Sequence, residues 1–121
     1  MSKREEVAFE VLCDINACAY WLSSLDVCDD KGNKVSHEVY EELRTKAKRR
    51  VKSLCREDVW LEGMKNGYCL KAEPDDDEPV IVTYDRLLKA CNGYDIDDSY
   101  FDGCAVDRIF QTACFGKVVY G

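Results

Sequence analysis

The first 25 residues constrain this chain most. Between Lys3 and Leu25 no glycine or proline interrupts, and Val7, Val11, Ile15, Cys18, Leu22 and Leu25 recur at three- and four-residue steps. That spacing predicts one long helix over Lys3–Leu25. Ala8, Leu12 and Ala19, with the rings of Phe9, Tyr20 and Trp21, widen the apolar surface beyond a single stripe. A helix apolar on most sides must sit centrally in a fold or be covered by a second subunit. The expected body is therefore built around this helix, as a monomer or a homodimer.

At 121 residues the chain fits one globular domain, 1–121, that buries enough surface for a single core. Downstream the pattern changes several times. Asp29-Asp30-Lys31-Gly32-Asn33 has turn chemistry, and a small hairpin pairing Val27-Cys28 with Lys34-Val35 competes there with a plain loop. Ser36 is placed to cap a second helix whose stripe is Leu43, Ala47, Val51 and Leu54. Val59 to Met64 continue it, either unbroken or after a break near Arg56-Glu57, to a stop at Asn66-Gly67.

Tyr68-Cys69-Leu70 and Val80-Ile81-Val82 flank a loop bracketed by prolines, which predicts a β-hairpin near residues 68–83. Thr83 suits the cap of a short helix ending at Asn92-Gly93. Asp102 suits the cap of a last helix carrying Val106, Ile109, Phe110 and Ala113, with Gly116 as its stop. Lys117–Tyr120 is expected to add an edge strand to the hairpin. The fold class is α+β, mainly α: about four helices around a long N-terminal helix, with a small hairpin.

Eight cysteines, an even number, invite a disulfide framework, but the N-terminus lacks an export-signal core and five of the eight fall on apolar helical patterns. Reduced core thiols in a cytoplasmic protein are the expectation. No CxxC pair occurs and His37 is the only histidine, so no zinc site is expected. An EF-hand register from Asp98 puts Tyr100 and Ile109 where ligands belong, so no calcium site is expected either. No GxSxG, GxGxxG or Walker pattern appears. Neither catalytic residues nor a cofactor follow from these residues. No apolar run approaches the roughly 18 residues of a membrane span.

Charge is the remaining lead. The chain carries 24 acidic and 17 basic groups, a net charge of −7. Seven cations lie between Ser36 and Arg56 against three acids, so a basic helix over residues 44–56 is set in an acidic body. Two acidic segments stand out: Asp75, Asp76, Asp77 and Glu78 in the hairpin loop, and Asp95, Asp97 and Asp98 in the connector before the last helix.

Three functions follow. The leading one is a non-enzymatic intracellular protein-interaction domain that meets a basic partner protein with these acids. In style, compact, acidic and without motifs, the chain resembles small accessory or inhibitory proteins of phages and mobile elements. A second reading is a nucleic-acid-binding accessory protein whose basic helix contacts phosphates through Lys46, Arg49, Arg50, Lys52 and Arg56. A third is a small enzyme or nucleotide-binding protein with a pocket that the sequence does not reveal.

Overall fold

The computed structural model describes residues 2–121. The elements in order are α1 (Lys3–Cys18), β1 (Leu22–Cys28), α2 (His37–Lys48), α3 (Arg56–Lys65), β2 (Cys69–Pro74), β3 (Val80–Val82), α4 (Tyr84–Ala90) and α5 (Gly103–Phe115). The architecture is α+β and mainly helical, five helices and a three-stranded antiparallel sheet in the order β1-β2-β3.

α1 is the central helix. Val7, Ala8, Val11, Leu12 and Ile15 are buried on it, and α5, α3 and α4 pack around it. It is shorter than its apolar spacing predicts. The last helical bond runs from the Ala19 N–H to the Ile15 carbonyl, and the chain turns through Tyr20 into β1. Leu22 and Leu25 satisfy a helical step, but Leu25 and Val27 also satisfy the two-residue period of a strand, and pairing with β2 wins. The inner face of the sheet presents Leu25 and Val27 on β1, Leu70 and Ala72 on β2, and Val82 on β3 to the core.

The second predicted helix is two helices. α2 ends at Lys48, and the chain doubles back so that Arg50 meets Glu62 of α3 at 3.3 Å and Lys46 donates to Asn66 at 3.1 Å. A continuous helix would have held its cations at mutually repelling spacings. Folding back instead buries Leu43 and Ala47 and gives Arg50 a counter-charge. Gly63 allows the close approach: a Cβ there would lie 2.9 Å from Val27 Cγ2 and 3.3 Å from Leu43 Cδ1.

Side-chain caps appear where the residue types called for them. Ser36 Oγ accepts from Val39 N–H, Thr83 Oγ1 from Arg86 N–H and Asp102 Oδ1 from Ala105 N–H. The small hairpin at Val27–Val35 reduces to a single bridge, Cys28 to Lys34. The edge strand at Lys117–Tyr120 does not form, because the backbone of Val119 and Tyr120 bonds to the side chain of Gln111 instead.

All eight cysteines are free thiols. Cys28, Cys69, Cys91 and Cys114 are buried, and burial pushes the Cys91 and Cys114 thiols up to about 12. Cys55, one of the five cysteines on apolar helical patterns and so expected in the core, is exposed: it stands at the N-cap of α3, its N–H donating to Asp58 at 3.0 Å.

One ion pair joins α1 to α3, with Lys65 Nζ 3.0 Å from Glu5. The hydrogen bond from Lys65 is the main cause that holds the Glu5 carboxyl at about 2, below its ordinary 4.5. A carboxylate with a depressed folded-state value adds stability that is present above about pH 4.5 and lost as pH falls toward 2. Lys65→Met should lower stability at neutral pH and flatten its decline across that window. Urea melts at a series of pH values measure this, and identical acid limbs in parent and variant would refute it.

Candidate functional site

The acidic loop after β2 projects from the sheet, with Asp75, Asp76, Asp77 and Glu78 all exposed. None of the four is ion-paired among the described residues. The loop is anchored at its base, where Asp75 N–H donates to the Trp21 carbonyl at 2.9 Å and its carboxylate accepts from the Ser23 hydroxyl. It also faces Tyr120, whose phenol is held above its ordinary value first by desolvation and then by the charges of Asp77, Asp76 and Asp75.

Beside it lies a cleft of about 610 Å³ between the end of α1, the start of α5 and residues 118–121. Ala17, Cys18, Tyr20 and Val118 supply its apolar surface, while Asp102 and Asp107 supply carboxylates. Tyr20 is 70% exposed and Val118 49%, so the rim of the cleft keeps apolar surface open to solvent, with the Tyr20 hydroxyl donating to the Gly121 carbonyl at 2.9 Å. Asp107 is positioned by two donors: Trp21 Nε1–H at 2.7 Å and Gln111 Nε2–H at 3.1 Å. The exposed aromatic, the apolar cleft and the unpaired loop acids thus adjoin one another through Trp21 and Tyr120.

The connector acids stand elsewhere. Asp95 pairs with Lys3 at 3.3 Å, at the opposite end of α1 from Cys18 and the cleft, so the helix alone sets about 24 Å between them. Asp95 and Asp98 also accept the backbone N–H groups of Asp97 and Tyr100, which ties the connector into local turns. The two acidic segments do not form one surface.

The basic segment is not one helix, and much of it is engaged within the molecule. Lys46 and Arg50 hold Asn66 and Glu62, and the Arg56 guanidinium lies 4.7 Å from the Trp60 ring centre. Arg49 and Lys52 make no ion pair among the described residues.

A second cavity, of about 570 Å³, includes Asp26, Ser36, His37 and Arg56 in its lining. Ser36 Oγ is occupied as the α2 cap, and Asp26 accepts from the Val27 N–H. No hydrogen bond joins His37 to either of them among the described residues. Nor does any group of three or more His, Cys, Asp or Glu side chains among the described residues form a metal-binding set.

Sequence reasoning reached the loop acids through their density but missed Tyr20, Trp21, Gln111 and Val118 as a group. Gln111 sits on an apolar helix face as its one amide, and that polar residue among Ile109, Phe110 and Ala113 was the available signal. Comparison with known proteins finds no matching family model, no matching curated protein and no matching solved structure.

Proposed function

We propose that this chain is a non-enzymatic protein-interaction domain, an accessory or inhibitory protein whose partner presents a basic surface to the Asp75–Glu78 loop and the adjoining cleft. The observation that carries the reading is the junction of four exposed, unpaired acids with an exposed aromatic and apolar cleft. Charge at the rim steers and selects a partner, while apolar area at the centre holds it. Lys46, Arg50 and Arg56 are exposed but each already has a partner within the chain, in Asn66, Glu62 and the Trp60 ring, which favours this reading over phosphate contact.

The test uses a defined probe, a fluorescent lysine-rich peptide containing one tyrosine, titrated by anisotropy at several salt concentrations. Replacing Asp75, Asp76 and Asp77 with Ser should weaken binding about tenfold at low salt and reduce its salt dependence. The melting temperature should move little, since exposed loop changes usually fall within about 0.5 kcal/mol. Unchanged affinity and salt dependence would remove the loop from the interface. Salt-sensitive retardation of duplex DNA by the parent protein would favour the nucleic-acid reading instead.

A further inference from the structure

Residues 116–121 belong to no helix or strand, yet they occupy a groove with built polar contacts. Gln111, at the bottom of that groove, is 0% exposed. Its Oε1 accepts the N–H groups of Val119 and Tyr120, each at 2.8 Å, and its Nε2 donates to the Tyr120 carbonyl at 3.1 Å. One buried amide therefore holds a short, locally curved stretch of backbone through two successive N–H groups and a carbonyl, without regard to side-chain identity. Selectivity is added by one ring slot. The Tyr120 ring stacks on Trp21 at 5.1 Å and 7°, and meets Phe115 edge-on at 5.9 Å.

The segment occupying this groove, Gly116-Lys117-Val118-Val119-Tyr120-Gly121, supplies one ring, that of Tyr120, and one charged side chain, that of Lys117. It leaves α5 through Gly116, whose φ of +77° gives a pivot with little steric resistance. Val118 and Val119 remain about half exposed, so the segment is held by the Tyr120 ring, by the bonds to Gln111 and by the Tyr20 hydroxyl, which donates to the Gly121 carbonyl at 2.9 Å. A short segment held through two or three residues, outside any helix or strand, opens at a free energy below that of global unfolding.

We infer that the Gln111–Trp21–Phe115 groove is a peptide-binding site, occupied in the free protein by residues 116–121 as an internal stand-in for the partner. The ligand that fits is a short basic peptide with one aromatic residue: backbone on Gln111, ring on Trp21, cations toward Asp75–Asp77. This rests on the acidic rim being the partner surface and adds the form in which the partner's chain enters.

Competition by the internal segment lowers apparent affinity by the fraction of molecules with the groove open. Tyr120→Ala in the full chain empties the ring slot and leaves the groove intact. A fluorescent peptide of residues 116–121 should bind this variant at least about tenfold tighter than the parent, with quenching of tryptophan emission. Adding Gln111→Ala to that variant, or changing tyrosine to alanine in the peptide, should abolish binding.

Equal affinity for parent and Tyr120→Ala, or indifference to the peptide's tyrosine, would overturn the inference. Native-state hydrogen exchange on the parent gives a second test that needs no variant. The Val119 and Tyr120 amides should exchange through an opening insensitive to low denaturant, and exchange only by global unfolding would overturn it as well. The two proposals fail separately. Peptide binding that ignores neutralised loop acids sinks the basic-partner reading while the groove stands. Loop-dependent binding of the lysine-rich peptide that ignores Tyr120→Ala sinks the groove while that reading stands.

Discussion

Ile15→Asp should leave no soluble folded protein at any concentration. Ile15 is fully buried on α1, between Val11 and Leu12 on one side and Ala19 on the other, in the core shared with α5. The change removes an aliphatic side chain whose loss alone costs about 2–5 kcal/mol. It also asks an unpaired carboxylate to stay dry, or to take up a proton at neutral pH, at a further cost of several kcal/mol. Against a typical total of about 5–15 kcal/mol the sum removes most or all of the stability. Ile15→Val, by comparison, should cost about 1 kcal/mol and remain folded. Circular dichroism and size exclusion over a dilution series separate the outcomes. A well-folded Ile15→Asp protein that merely elutes as a smaller species would mean that α1 faces a second subunit rather than its own core.

The next largest effect is expected at Trp21, the residue through which the core, the acidic loop and the 116–121 segment meet. Its ring packs on Phe110 at 6.2 Å, on Phe115 at 5.6 Å and on Tyr120 at 5.1 Å, and it is almost wholly buried. Trp21→Ala should cost about 3–5 kcal/mol, lowering the melting temperature by roughly 10–20 °C. It should also free Tyr120 and loosen the cleft, so the loss extends beyond local packing. Trp21→Phe keeps a ring in the slot but removes the Nε1–H that donates to Asp107, for about 1 kcal/mol. A thermal melt of Trp21→Ala within about two or three degrees of the parent would show that the stack carries little of the stability.

Both expectations depend on how much of this molecule is local. The caps at Ser36, Thr83 and Asp102 bind N–H groups only three residues ahead, so residue type at one position was enough to place three helix starts. The hairpin was legible for a similar reason: two β-branched or apolar runs with a proline-bracketed polar loop leave few alternatives. The acids of that loop were legible as a candidate surface because nothing apolar competes for their positions.

What stayed hidden involves partners in other elements of the fold. Leu22 and Leu25 suit a helix or a strand equally, and only the arrival of β2, distant in the chain, decides for the strand. The basic run looked continuous because the counter-charge that turns it back, Glu62, acts across a fold rather than along a helix. The two acidic segments were legible as candidates, but sequence carries no record that they lie toward opposite ends of α1.

By itself, then, the sequence determined the helix caps, the hairpin and its exposed acidic loop, and the membership of the α1 and α5 core stripes, all set by interactions within about one turn or one hairpin. Tertiary structure alone decided where α1 gives way to β1, where the basic run breaks, and that Val119 and Tyr120 bond to Gln111 rather than to a strand. Those choices turn on which group outside the segment's own helix or strand reaches a backbone donor or a buried charge, and no local propensity encodes that.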